Sequence, residues 1–315
     1  MESYGSVFIK TKEFRGFGKE KIMENMHIAF CCDNGYIMPA SIMLESLMKN
    51  NENRHIIAHT FSDDLDDTSI KALQGLMEKY QGELVAHQVP TEAIDIIKKA
   101  PLAWEYLSIT TYYRLMLPYV LDDTVEKILY LDCDVMVRKN LTKYYDCDIA
   151  DKYVAGSHDI EEEQHSHRLN LPYYINAGVL VMNIKAIKQK FSMEKMLEEM
   201  NCLMAQGSLL CGDQDIINIL FAQRIYLLED AFNYQHGIHK KYVLKHKDEV
   251  KKAAVVHFIT ADKPWFSAYV FPYTREYYHY LKKYFNIGKK VKYWISKPAG
   301  MLKVLKKHKD YMSAK

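Results

Sequence analysis

The chain has 315 residues, of which 49% are hydrophobic and 26% are charged, a composition typical of a globular protein with a substantial core. We expect neither a signal peptide nor a membrane span, because residues 1–24 are charged and no apolar run approaches the roughly 20 residues that cross a bilayer. The net charge of +2 is uneven: residues 281–315 hold eleven lysines and one acid, a net of +10 that leaves −8 for residues 1–280. An acidic body argues against nucleic acid as its ligand.

The cysteines lack metal-binding spacing, because no pair of them forms a C-x-x-C motif. Without a secretory signal, the simplest interpretation is free thiols in a reducing cytosol. We therefore predict a cytoplasmic protein with no disulfide framework. The six cysteines are Cys31, Cys32, Cys133, Cys147, Cys202 and Cys211.

Apolar runs and helical periodicity alternate along the first third of the chain. Strands are predicted at 26–32, 54–60 and 84–89, and helices at 38–47 and 66–80. Asp66 or Asp67 is available as the N-cap of the second helix. This alternation predicts a parallel α/β sheet with right-handed crossovers.

Further elements follow in the rest of the chain. A helix is predicted over 108–119, ending near Pro118, and then strands at 128–131 and 174–183, helices at 194–204 and 214–221, and a strand at 253–258. No internal repeat or low-complexity linker occurs within 26–280. We predict an N-terminal extension over 1–25, one catalytic domain over 26–280 and a basic amphipathic tail over 281–315.

The most informative stretch is residues 127–137, Lys-Ile-Leu-Tyr-Leu-Asp-Cys-Asp-Val-Met-Val. A buried strand over 128–131 ends in Asp132 and Asp134, and ligands of open α/β sheets bind just beyond the carboxyl ends of such strands. Two carboxylates at that edge suit a divalent cation that holds phosphates, whereas the alternative is a polar turn.

Six motifs occur in the order found in glycosyltransferase family 8, which the chain resembles over roughly residues 26–266. The resemblance implies a GT-A fold, a Rossmann-like mixed sheet flanked by helices, together with a nucleotide-sugar donor and a divalent metal. The motifs are Phe-Cys-Cys-Asp-Asn-Gly-Tyr at 30–36, Ser-Ile-Thr-Thr-Tyr-Tyr-Arg-Leu at 108–115, Tyr-Leu-Asp-Cys-Asp at 130–134, Tyr-Ile-Asn-Ala-Gly-Val-Leu at 174–180, Asp-Gln-Asp at 213–215 and His-Phe-Ile-Thr-Ala-Asp-Lys-Pro-Trp at 257–265.

The resemblance implies that His257 joins Asp132 and Asp134 as a metal ligand, a set that suits Mn²⁺, with Mg²⁺ possible. Lys263 can meet the diphosphate as a point charge. The family usually has glycine three residues after the histidine, where this chain has Thr260. The substitution puts a close backbone approach to the phosphate in doubt.

Other residues of the donor site are carried over from the same motifs. Asp33 and Tyr36 match the family's uracil contacts, the backbone at Cys31 and Cys133 lies beside them, and Arg114 matches a donor-contacting arginine. The sugar contacts are Asn176, Ala177, Gly178, Asp213 and Gln214, of which Asp213 and Gln214 are the catalytic candidates. Asp215 is expected to cap or brace the following helix. For each residue, ordinary packing or a surface position is the structural alternative.

Two other groups of acids are interpreted as structural. Asp146 and Asp148 repeat the D-x-D pattern but follow Tyr144-Tyr145 and predict a polar turn. The stretch 161–167, with three glutamates and two histidines, could bind metal but predicts an exposed charged loop near the acceptor.

Together these features predict a retaining, metal-dependent hexosyltransferase that moves glucose or galactose from a UDP-sugar to a glycan or glycolipid acceptor. Gln214 is an amide and therefore no strong nucleophile, which favours front-side displacement. The rivals are an aspartyl-nucleophile phosphatase, in which Asp132 attacks phosphorus, and a non-catalytic glycan-binding protein.

A basic helix over 301–312, with Trp294 upstream, predicts peripheral attachment to an anionic membrane. A solvated or disordered tail is the alternative.

Overall fold

The computed structural model describes residues 23–100, 108–207, 209–236, 251–259, 263–265 and 274–284. The strands in these ranges are β1 (Asn25–Cys31), β2 (His55–Ser62), β3 (Glu83–Gln88), β4 (Lys127–Leu131), β5 (Val135–Val137), β6 (Val154–His158), β7 (Ile175–Asn183), β8 (Ile225–Leu227), β9 (Tyr234–His236) and β10 (Val255–Phe258). The α-helices are α1 (Ile37–Asn50), α2 (Asp67–Lys79), α3 (Thr91–Ile97), α4 (Leu117–Val120), α5 (Thr142–Tyr145), α6 (Glu162–Leu169), α7 (Ile184–Lys190), α8 (Met193–Ala205), α9 (Asp213–Phe221) and α10 (Thr274–Tyr284). Short 3₁₀ helices cover Asn34–Tyr36, Ile109–Met116, Ala222–Arg224 and Asp230–Asn233.

Seven strands form the main sheet in the order β3-β2-β1-β4-β7-β6-β8, and a smaller sheet has the order β5-β10-β9. Strands β1 to β4 are parallel, as the alternation predicts. Strand β7 runs antiparallel to both β4 and β6, so the whole sheet is mixed, which confirms the fold that the resemblance implies. The reversal arises because the connection through α6 leaves β6 and enters β7 at the same end of the two strands. There Asp159 N–H donates to Tyr174 O at 3.0 Å.

The strand order changes direction between β1 and β4. From β1 the chain builds outward through β2 to β3, and it then returns to add β4 on the opposite side of β1. Such a switch point leaves a crevice at the carboxyl ends of the two strands, where open α/β sheets bind ligands. The residues that follow β1 and β4 therefore face one crevice, and the antiparallel β7 brings its first residues to the same edge.

Apolar side chains cover both faces of the main sheet. Met26, Ile28 and Phe30 of β1 pack with the α1 and α2 side, and the alternate residues Ala29 and Cys31 pack on the other face. Helix α2 begins where Asp66 accepts a hydrogen bond from Ser69 N–H at 2.8 Å, which confirms the predicted cap.

The predicted helix over 108–119 is confirmed as helical, but it consists of two helix types and continues two residues past Pro118. The segment forms a 3₁₀ helix over Ile109–Met116, and the α-helical turn α4 then begins at Leu117. Pro118 lies in the first turn of α4 rather than at a helix end, since a first-turn residue needs no backbone N–H partner. Arg114, which belongs to the donor-site motif, lies in this 3₁₀ helix and is buried.

Three histidines on neighbouring parallel strands form a hydrogen-bonded ladder that the sequence patterns did not reveal. Nδ1 of His27 lies 3.0 Å from Nε2 of His59, whose Nδ1 lies 2.9 Å from Nε2 of His87. Burial lowers the pKa of His59 to about 3 and that of His87 to about 4. The two rings are therefore uncharged at neutral pH, and the ladder is a structural element of this sheet.

Helix α10 packs on α1 through a buried carboxylate. Lys283 Nζ lies 2.6 Å from Glu45 Oε1, and Tyr284 and Tyr80 each donate to Glu45 at 2.7 Å. Burial by itself would raise the pKa of Glu45, but these donors lower it to about 2. The predicted domain boundary at residue 280 falls inside α10, whose Leu281 is buried, and the predicted tail helix over 301–312 lies outside the described residues.

Within the described ranges, none of the helices has both the length and the apolar composition that a membrane span requires.

Candidate active site

Side chains from separate parts of the chain meet at the crevice formed by the switch point. The predicted site residues lie on the strands, helices and turns that border it. They come from the end of β1 and the turn after it (Cys31, Asp33, Tyr36), the 3₁₀ helix (Arg114), the turn after β4 (Asp132, Cys133, Asp134), the start of β7 (Asn176, Ala177, Gly178), the start of α9 (Asp213, Gln214), β10 (His257) and the segment after it (Lys263).

Two carboxylates and one imidazole form the centre of the site. Nε2 of His257 lies 3.2 Å from Oδ1 of Asp134 and 3.7 Å from Oδ2 of Asp132, and one ligand atom from each residue falls within 4.8 Å of the others. The antiparallel pairing of β10 with β5 sets His257 opposite Val135, next to the second aspartate. Over the described ranges of the chain, no other group of such side chains has this spacing.

The geometry of these three residues fits a divalent cation. Oδ1 of Asp134 is buried and has no hydrogen-bond partner, although it faces the imidazole. Gly178 lines the cluster with no side chain, and a Cβ at this position would overlap Cε1 of His257 and lie 2.6 Å from Oδ2 of Asp132. The cluster therefore offers two oxygen donors and one nitrogen donor around a space that glycine keeps open.

Positive groups balance the two aspartates. Lys263 Nζ lies 2.6 Å from Oδ2 of Asp134 and also donates to the carbonyl oxygen of Phe258. Burial alone would raise the pKa of Asp134, but the charge of the Lys263 ammonium holds it well below its usual range. Asp134 is therefore ionised in the folded protein, and Lys263 belongs to the cluster rather than to an exposed loop.

Arg114 connects the first aspartate of the cluster with the start of α9. Its guanidinium lies 3.3 Å from Oδ1 of Asp132 and 2.8 Å from Oδ2 of Asp213, and it stacks 4.7 Å above the ring of Tyr130. Burial of Arg114 would lower its pKa, but the two carboxylates raise it. Burial raises the pKa of Asp213 to about 6, with the Arg114 charge opposing the shift.

An amide cluster lies beside the carboxylates. Oε1 of Gln214 accepts from Asn176 Nδ2 at 3.1 Å and from Ala177 N–H at 3.0 Å, and its Nε2 donates to Oδ2 of Asp159 at 3.1 Å. These three bonds fix the plane of the Gln214 amide. Asp215, by contrast, is fully buried and accepts from Arg168, Tyr174 and the backbone of Leu210 and Cys211, so it braces the start of α9.

The residues matched to nucleotide contacts lie at the other end of the cluster. Tyr36 stands edge-on to Trp265 with ring centroids 5.9 Å apart, and Asp33 is half-buried in the turn before it. Burial raises the pKa of Asp33, and the charge of Asp64 adds to the shift. Cys133 donates its thiol to the carbonyl oxygen of Cys31 at 3.2 Å, which ties the ends of β1 and β4 together.

The second D-x-D pattern lies away from this cluster. Asp146 follows helix α5 and pairs with Arg54, and Asp148 accepts from Ala150 N–H at 3.0 Å, as expected for a polar turn. The prediction of an exposed loop over 161–167 is wrong, because Glu162–Leu169 forms helix α6 and His165 is buried. His165 packs on Tyr174, 4.9 Å between ring centroids, so tertiary packing overrides the polar local sequence.

Sequence reasoning missed three residues that hold the site residues in place. Tyr130 donates to Oδ1 of Asp132 at 2.8 Å, Asp159 accepts from Gln214, and Oδ1 of Asn233 lies 3.2 Å from Nδ1 of His257. Tyr130 was visible inside the D-x-D motif, and Asp159 follows a strand end like the predicted ligands. Asn233 has no local signal, since it precedes the three-residue strand β9.

Comparison with known proteins gives a consistent result. The family model described as glycosyl transferase family 8 matches residues 27–268. The chain is 25% identical over 280 residues to general stress protein A of Bacillus subtilis, covering 84% of this chain and 96% of that protein. It is 24% identical over 254 residues to a lipopolysaccharide 1,2-glucosyltransferase of Escherichia coli, covering 77% and 74%.

Solved structures agree on the fold. The galactosyltransferase LgtC, in complex with donor and acceptor sugar analogues, superposes with a TM-score of 0.71 at 24% identity, covering 82% of this chain and 96% of that one. The family match selects the transferase interpretation over the phosphatase and the non-catalytic alternatives. Because the family model spans far more than half of the chain, the protein belongs to glycosyltransferase family 8 and is a glycosyltransferase with a GT-A fold.

Proposed function

We propose that the protein is a retaining hexosyltransferase that uses a divalent metal and a UDP-sugar, UDP-glucose or UDP-galactose, to extend a glycan or glycolipid of the cell surface. The observation that carries the proposal is the cluster of Asp132, Asp134 and His257 beside the fixed amide of Gln214. The named hexosyltransferases among the relatives support the class of sugar.

Asp132, Asp134 and His257 would hold Mn²⁺, or alternatively Mg²⁺, since two carboxylates and an imidazole suit either ion. When bound, the ion would neutralise the charge that develops on the leaving diphosphate. Lys263 keeps Asp134 ionised and adds a positive charge at the diphosphate side. Arg114 restrains Asp132 and Asp213, so neither acid is free to swing across the sugar site.

Binding of the nucleotide would use the turn after β1. Asp33 would accept from the base N–H, Tyr36 would stack on the base, and the backbone of Cys31 and Cys133 would line its edge. Trp265 supports the ring of Tyr36 edge-on and limits its movement.

The sugar would lie against the start of β7 and α9. Asn176, Ala177 and Gly178 would contact its hydroxyls, with Asp213 as an acceptor. Gln214 would stabilise positive charge at the anomeric carbon while the departing phosphate takes the proton of the acceptor hydroxyl. In this front-side displacement the new bond forms on the face that the phosphate leaves, so the α configuration of the donor is kept.

Donor hydrolysis and product configuration test this proposal together. We expect purified enzyme with Mn²⁺ to release UDP slowly from UDP-glucose or UDP-galactose, and chelation to stop the release. With a sugar acceptor, NMR of the product should show an α linkage. A β-linked product would contradict retention and the role of Gln214, and no release from any of a panel of nucleotide sugars would contradict the choice of donor.

We also propose that residues 281–315 attach the enzyme to anionic lipid near its acceptor, because this segment carries +10 against −8 for the remainder. Each lysine near a membrane surface contributes about 1 kcal/mol, screened by salt. Truncation after Phe285 should abolish sedimentation with liposomes that contain anionic lipid, while hydrolysis of a soluble UDP-sugar persists. Full-length protein that ignores such liposomes at low salt would rule out this attachment.

A further inference from the structure

A continuous chain of side-chain amides links the imidazole of the metal cluster to the amide beside the sugar site. Oδ1 of Asn233 lies 3.2 Å from Nδ1 of His257, and Nδ2 of Asn233 donates to Oδ1 of Asn176 at 2.9 Å. Nδ2 of Asn176 then donates to Oε1 of Gln214 and to Oδ2 of Asp159, at 3.1 and 3.0 Å. Asn233 is 1% exposed and His257 is 4% exposed, so water does not substitute for these contacts.

The direction of every hydrogen bond in this chain is fixed at its ends. Gly178 N–H can only donate, and it does so to Oδ1 of Asn176 at 3.0 Å; Ala177 N–H fixes Oε1 of Gln214 in the same way. The carboxylate of Asp159 accepts from the NH₂ groups of Gln214 and Asn176. The atom of Asn233 that faces Oδ1 of Asn176 must therefore be its NH₂ group.

This polarity determines the tautomer of His257. With its NH₂ group committed to Asn176, Asn233 presents its carbonyl oxygen to Nδ1 of His257, which must carry a hydrogen. In the neutral ring the lone pair is then on Nε2, which faces Oδ1 of Asp134 at 3.2 Å and Oδ2 of Asp132 at 3.7 Å. Two carboxylate oxygens and one nitrogen lone pair directed at one space favour a cation between them.

We propose that Asn233 is a positioning residue that fixes His257 as the Nδ1–H tautomer, with Nε2 available to a metal, and couples that ligand to the orientation of Gln214. The inference rests on the proposed metal-dependent transfer and adds a residue to it. Partners of this kind, which hydrogen-bond the remote nitrogen of a ligand histidine, typically change metal affinity 10- to 100-fold when replaced. The 3₁₀ helix Asp230–Asn233 and the buried Phe232 hold the asparagine in place.

Two substitutions separate the two halves of this role. Asn233→Asp keeps an oxygen that accepts from Nδ1–H of His257 but loses the donor to Asn176, whereas Asn233→Ala loses both. We expect Asn233→Ala to weaken Mn²⁺ binding, measured by EPR in the presence of UDP, by about 10-fold or more. Asn233→Asp should bind Mn²⁺ at least as tightly as wild type, and both variants should have a kcat lowered about 10-fold or more.

The ring tautomer gives a readout that does not depend on metal or turnover. ¹⁵N NMR of the metal-free protein at a pH where the His257 ring is neutral, with its signals assigned by their loss in His257→Ala, should show Nδ1–H in wild type and Asn233→Asp and a mixture of tautomers in Asn233→Ala. The matched control is Asn51→Ala, which removes a buried amide that bonds only backbone groups, Leu47 O and Leu141 N–H. It should change stability without changing the tautomer or Mn²⁺ affinity.

An unchanged tautomer and Mn²⁺ affinity in Asn233→Ala would overturn the inference. Equal weakening of Mn²⁺ binding in the alanine and aspartate variants would also overturn it. The loss of the hydrogen bond from Asn233 to Asn176, which both variants share, would then explain the effect. If wild-type enzyme binds no Mn²⁺ with UDP, the proposed function fails, and the tautomer of the metal-free protein still decides the role of Asn233.

Discussion

Replacing Asp132 or Asp134 by asparagine is expected to lower donor turnover at least about 100-fold, equivalent to about 2.7 kcal/mol of transition-state stabilisation. The amide keeps the shape of the side chain, and in Asp134→Asn its oxygen can still accept from Lys263. The charge that would hold the cation is lost. Steady-state rates of UDP release, with and without chelator, measure the effect, and circular dichroism checks the fold.

The chain supplies its own control for this experiment. Asp148→Asn changes the same residue type in the second D-x-D pattern, where the carboxylate caps a turn at Ala150. We expect its rate to stay near that of wild type. Near-normal turnover in Asp134→Asn, or equal losses in both patterns, would contradict the assignment of the metal cluster.

Gly178→Ala is expected to remove activity to a similar extent, although it deletes no functional group. The new Cβ would overlap Cε1 of His257 and lie 2.6 Å from Oδ2 of Asp132, and β7 cannot move away because Gly178 O accepts from Asp132 N–H at 2.8 Å. The side chains of His257 and Asp132 must shift instead, and a displacement of about 1 Å at a catalytic group can cost about 100-fold in rate. Turnover and Mn²⁺ affinity should fall together.

Gly75→Ala is the matched control for that substitution. Gly75 lies in helix α2, and a Cβ there meets nothing within 4 Å. Alanine should leave turnover unchanged and stabilise the protein by about 0.5–1 kcal/mol, because it favours the helix. Full activity in Gly178→Ala would mean that the space beside His257 is larger than the structure gives.

Local patterns predicted the parts of the fold that local physics controls. The strands over β1 to β4 and the helices α1, α2, α8 and α9 follow from apolar runs and helical periodicity, and Asp66 caps α2 as expected. The prediction failed where the sequence has no hydrophobic periodicity. Helix α6 was interpreted as a loop because its glutamates and histidines are polar, and only the packing of His165 on Tyr174 explains its burial. The helix over 108–119 was predicted without its type, and the structure shows that the part with Arg114 is a 3₁₀ helix.

By itself, the sequence determined the enzyme family of this protein and the candidate residues of its site: two aspartates after an apolar strand, a later histidine and an Asp-Gln pair, in the order of that family. Tertiary structure alone decided how those groups act on each other. The reversal of β7 brings Gly178 against the cluster, and the pairing of β9 with β10 brings Asn233 to His257. Such contacts join residues far apart in the chain, and hydrogen-bond direction and excluded space depend on distances of a few ångströms that no local pattern encodes.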